Sequence, residues 1–110
     1  MAQRTDCERK TYLVEHYRPG HCAEELRALA GRVRGAAAEL EGEGKPVRYL
    51  HAAIVPGDES LLCLLEAAGE GIVRETYARA GVPFERLSAV IREGDAAWLA
   101  IAPRTQDEPA

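Results

Sequence analysis

Aromatic residues are scarce: the 110-residue chain has one Phe, one Trp and four Tyr. Little surface is available for base stacking, the basic residues are interspersed with acids, and the formal net charge is −4. That balance argues against a nucleic-acid partner, which calls for a basic track with stacking platforms. No apolar run approaches the ~20 residues of a membrane-spanning helix. The first ten residues, MAQRTDCERK, lack the apolar stretch of a secretory signal. The expectation is a cytoplasmic chain with no membrane partner. Cysteines are few and unpaired in pattern: Cys7, Cys22 and Cys63 are odd in number, far apart and without a CxxC. A disulfide framework or zinc knuckle is unsupported. There is no GxSxG elbow, GxGxxG, P-loop or HExxH, so no signal for a nucleophilic hydrolase, a nucleotide or flavin site, or a zincin.

What is present reads as one domain with a modest core. Hydrophobic residues make up 46% and charged residues 29%, a globular rather than disordered balance. The expected organisation is an N-terminal tail over 1–10, a domain over 11–102 and a C-terminal tail over 103–110.

Residues 47–67, VRYLHAAIVPGDESLLCLLEA, carry the strongest pattern. Pro56-Gly57-Asp58-Glu59 is a turn between two strand-like runs. Pairing Val55 with Ser60 sets Ile54 against Leu61, Ala52 against Cys63, Leu50 against Leu65 and Tyr49 against Glu66. Side chains alternate along strands and paired residues share a face. One face is then apolar (Leu50, Ala52, Ile54, Leu61, Cys63, Leu65). The other mixes Tyr49, His51, Ala53, Leu62, Leu64 and Glu66.

Around this hairpin, Thr11–Tyr17 reads as a strand stopped by Pro19-Gly20. Residues 22–41 place Leu26, Leu29, Ala30, Val33, Ala37 and Leu40 on one side of a helix, ended by Gly42-Glu43-Gly44. Residues 70–80 form a second helix with Gly81 as its cap and Pro83 beyond. Residues 86–92 form a fourth strand, and 97–102 (AWLAIA) an additional one. The order β-α-β-β-α-β is that of the split βαβ, so the expected fold is α+β and ferredoxin-like, with an extra C-terminal strand. Both helices would cover the Cys63 face. The opposite face, with Tyr49, Leu62 and Leu64, is a sizeable apolar patch that a second copy would cover, sheet to sheet, as a dimeric α/β barrel. Trp98 either anchors that contact or packs inside its own chain.

The chemistry-bearing residues gather on the same open face. His51 sits mid-strand and can act as a metal ligand or as an acid–base group. Glu15 and Glu66 are carboxylates inside apolar strands, where charge is costly without a partner. Tyr12 and Val14 make a better core pair than their neighbours, which turns Glu15 to the open face; the other phase would bring His16 there instead. Glu15, His51 and Glu66 are a candidate divalent-metal set of N/O donors, supported by Tyr49. The same residues suit a cofactor-independent enzyme. His51 or Glu15 would move a proton in a small hydrophobic metabolite held on Tyr49, Leu62 and Leu64, in an isomerisation, cyclisation or elimination. A non-catalytic dimeric interaction module would use the face for burial alone. A weaker second metal cluster is His16, His21 and Cys22, at the exit of the first strand. Cys63 reads as a small core hydrophobe.

The strings YLVEHYRPG, RYLHAAIVPGDESLLCLLEA and VRETYARAGVPFERLSAV resemble a family of small bacterial ferredoxin-like proteins of unknown function, one branch of which is described as nickel-binding. The resemblance covers residues 11–91. It implies the ferredoxin-like fold and, through that branch, nickel as the metal. Two departures stand out. This chain has Thr76 where metal-binding members tend to have a His after Arg-Glu, and His51 where they tend to have an acid.

Overall fold

The computed structural model describes residues 10–93. Their elements are β1 (Lys10–Tyr17), α1 (Ala23–Gly42), β2 (Val47–Val55), β3 (Ser60–Ala67), α2 (Glu70–Ala80) and β4 (Arg86–Val90). A single 3-10 turn, Pro56–Asp58, joins β2 to β3, and Glu59 closes it in the left-handed region at φ 55°. The sheet is antiparallel in the order β2-β3-β1-β4, which fits the ferredoxin-like arrangement with both hairpin strands on one side of β1. The expected strand over 97–102, with Trp98, lies outside the described residues.

Burial alternates along the central strands, as a sheet covered on one face requires. Tyr12, Val14 and His16 of β1 and Leu61, Cys63 and Leu65 of β3 turn to the helices and are buried. From α1, Leu26, Ala30, Val33, Ala37 and Leu40 close over them, and α2 adds Val73, Thr76 and Tyr77. Removing a Leu or Val side chain of this kind from water contributes about 1.5–3 kcal/mol. Leu29, expected in the core stripe, packs at its margin, and Ala36 joins the buried set in its place.

Polar contacts set the helix ends. The Cys22 backbone N–H donates to the Glu25 carboxylate at 2.8 Å, which settles one orphan donor at the start of α1 and holds that carboxyl below its usual range. Arg32 of α1 donates through Nη2 to the carbonyls of Ala80 and Gly81, at 2.8 and 3.1 Å, fastening α1 to the end of α2. Gly81 adopts φ +69°, the left-handed cap that a Cβ would strain.

One part of the expected register is corrected. From Val55↔Ser60 to His51↔Leu64 the hairpin pairs as expected, but a bulge then falls between His51 and Tyr49. Leu50 drops out of the ladder, Tyr49 pairs with Leu65, and Arg48 takes the place opposite Glu66. An extra residue in one strand shifts every later side chain to the other face. Tyr49 therefore belongs to the helix side, packed against the core, and not to the open face.

Candidate functional site

The open face follows from the register. Across β2, β3, β1 and β4 it reads Arg48, Glu66, Thr11 and Val90; then His51, Leu64, Leu13 and Ser88; then Ala53, Leu62, Glu15 and Arg86. A half-buried apolar centre of Leu13, Leu62 and Leu64 is flanked by two cross-strand ion pairs. Arg48 meets Glu66 at 3.7 Å and Arg86 meets Glu15 at 3.7 Å. Tyr17, at the end of β1, is 53% exposed. Nothing among the described residues lies over this face, since both helices pack on the other side.

Glu15, His51, Leu62, Leu64 and Glu66 therefore all reach the face expected of them. They are not all close. Glu66 and His51 are diagonal neighbours on adjacent strands, within reach of long side chains. Glu15 lies two strands from His51, roughly 9.5 Å across the sheet before any offset along it. Among the described residues no three of His, Cys, Asp and Glu converge to hold a metal ion. Within one chain, Glu15, His51 and Glu66 do not fit a metal centre.

The second candidate cluster comes apart for a different reason. His16 is 1% exposed, on the helix side of β1, with Nδ1 donating to the Leu61 carbonyl at 2.8 Å. Its ring lies 5.2 Å from that of Tyr77, which in turn meets Phe84 edge-on at 5.2 Å. Cys22 is exposed at the start of α1, and His21 stands in the loop before it. A core histidine and two loop residues do not share a ligand.

Sequence reasoning missed a polar cluster inside the core. Cys63 is fully buried, with its thiol beside the phenols of Tyr49 and Tyr77. Burial pushes the thiol up to about 11 and raises both phenols above their ordinary value. His16 is lowered, chiefly by burial and further by Arg18, against the opposing pull of the Leu61 carbonyl and Glu85. All four of these buried or half-buried groups lie on the helix side of the sheet. The signal available in the sequence was the alternation that puts His16 in phase with Val14.

A recess of ≈ 1190 Å³ runs between α1 and the outer edge of β2, lined by Arg27, Arg34 and residues 49–54 among others. Among the described residues, no helix is long and apolar enough to cross a membrane.

The fold is shared with SCO4226 from Streptomyces coelicolor A3(2), whose crystal structure superposes with a TM-score of 0.59 at 19% sequence identity, covering 76% of this chain and 99% of that one. No curated relative matches the chain. The family model described as "Nickel responsive protein SCO4226-like" matches residues 12–90. That span takes in most of β1, the other three described strands and both helices, and the chain belongs to the SCO4226-like family of nickel-responsive proteins.

Proposed function

We propose that the protein is a nickel-responsive, metal-binding dimer whose ion is held between two copies of the open sheet face. The reading is carried by His51 and Glu66, diagonal neighbours on a face that no other described element covers, in a chain of a family named for nickel. Two N/O donors are too few for a nickel or zinc site, but a second copy brought sheet to sheet doubles them. The same contact buries Leu13, Leu62, Leu64 and Tyr17, which one chain leaves half-buried or exposed. Glu15, held by Arg86 on the far side of the apolar centre, is a contributor only if the partner's His51 approaches it.

The dimer is tested first, by sedimentation equilibrium of wild type and Leu64→Arg. Wild type is expected to sediment as a dimer and Leu64→Arg, at the centre of the face, as a folded monomer. A wild-type monomer, or a Leu64→Arg dimer, would sink the shared-site reading.

The acid–base enzyme finds less support. Its substrate would rest on Tyr49, Leu62 and Leu64, and the bulge turns Tyr49 away from the other two. The buried or half-buried groups with displaced titration, His16, Tyr49, Cys63 and Tyr77, face the helices instead of the open sheet.

A further inference from the structure

Among the described residues, the outer edge of β2 has no strand beside it, because the sheet order gives β2 a neighbour on one side only. α1 runs along that edge, and the two bound the groove of ≈ 1190 Å³. Its strand wall is residues 49–54 in unbroken succession. Side chains alternate along a strand, so consecutive residues all line a groove only where it follows the backbone edge itself. Unpaired N–H and C=O groups on such an edge are a template for one more strand. The helix wall is Ala23, Arg27, Ala30 and Arg34. Steps of four, three and four keep these on one stripe. The alanines leave room above the edge, and the arginines stand about 10 Å apart along the helix axis.

These two arginines differ from the others. Arg18, Arg48, Arg74, Arg79 and Arg86 each pair with a glutamate, and Arg32 caps carbonyls. Arg27 and Arg34 are exposed and make no ion pair among the described residues, in a chain of net charge −4.

We propose that this groove binds an extended acidic segment of a partner protein, which adds to β2 as a strand and sets carboxylates against Arg27 and Arg34. Carboxylates two to four residues apart on an extended chain match the spacing of the two guanidinium groups. Charge selects this occupant over a second copy. Pairing two β2 edges would bring the arginine stripe of one chain against that of the other, an arrangement that like charges oppose. The groove shares His51 and Ala53 of β2 with the open face, but its helix wall of Arg27 and Arg34 does not reach that face, so the arginine variants test the proposal without touching a candidate metal ligand.

The test titrates the full-length protein with a labelled, end-blocked peptide of roughly ten residues alternating Glu and Val, with the Lys-for-Glu peptide as control. Binding is followed by fluorescence anisotropy and by backbone amide shifts. The glutamate peptide should bind, shift the amides of residues 50–54, and lose about tenfold or more in affinity in Arg27→Glu/Arg34→Glu. Both side chains are exposed, so that variant keeps the fold. No saturable binding up to about 1 mM, equal binding of both peptides, or shifts confined to β1, β3 and β4 would overturn the proposal. So would full affinity in the double variant. Self-association through β2 without peptide would give the groove to a second copy and overturn it equally.

Discussion

Arg48 and Glu66 stand opposite each other on β2 and β3, guanidinium 3.7 Å from carboxylate. They meet because Leu50 leaves the ladder; in an unbulged hairpin Tyr49 would occupy that place and Arg48 would lie beyond it. The bulge thus sets an arginine beside a carboxylate of the candidate metal pair and turns a phenol into the core.

Arg48→Ala is therefore expected to separate structure from metal binding. The pair is partly solvated, so its loss should cost no more than about 1 kcal/mol in chemical denaturation. Taking a cation away from Glu66 should tighten Ni²⁺ binding, because the ion no longer competes with the guanidinium. Weaker binding in this variant would show that Glu66 is not a ligand.

Acid should weaken the fold through His16. Its Nδ1–H is committed to Leu61, and its buried Nε2 has no acceptor among the described residues for a second proton. The folded-state pKa is lowered by burial, so the unfolded chain binds the proton more readily. Stability is full above the ordinary value of about 6.5 and falls as pH drops below it, until the folded form also protonates. Denaturant midpoints across pH 7.5 to 4.5 should show this slope, and His16→Leu should flatten it. An unchanged slope in the variant would assign acid sensitivity elsewhere.

Gly81→Ala should lower the melting temperature. The residue holds φ +69°, and an added Cβ would come 3.1 Å from Arg32 Nη2, the atom that bonds the Ala80 and Gly81 carbonyls. Strain of about 1–2 kcal/mol is expected at this cap. A melting temperature equal to wild type would show that Arg32 and the cap relax without cost.

Thr76→His should not create a metal site. Thr76 is fully buried, with Oγ1 donating to the Ile72 carbonyl at 2.8 Å, on the side of the sheet away from His51. A larger ring there overpacks the core, costing about 1–3 kcal/mol. Equilibrium dialysis with Ni²⁺ should give wild-type affinity; a gain would move the metal site to the helices.

Much of the architecture was legible because few alternatives were compatible with the pattern. Ile72, Val73, Thr76 and Tyr77 between Gly69 and Gly81 admit one helix, and it runs Glu70–Ala80. Tyr12 and Val14 outrank Leu13 and Glu15 as core residues, so the phase of β1 and the burial of His16 follow. The bulge at Leu50 was not legible. Tyr49 and Leu50 each suit either face, so apolar alternation does not decide which of them leaves the ladder. The candidate site was legible only as a face. Alternation puts Glu15, His51 and Glu66 on one side, but the distance across strands separates Glu15 from His51, and sequence spacing does not contain that distance.

The most direct test is calorimetric titration of Ni²⁺ into untagged wild type and His51→Ala, with sedimentation of both. Wild type should bind saturably, near one ion per two chains, and His51→Ala should lose the ion while remaining a dimer. No wild-type binding tighter than about millimolar, some −4 kcal/mol, or binding that survives His51→Ala, would contradict a metal held between open sheet faces.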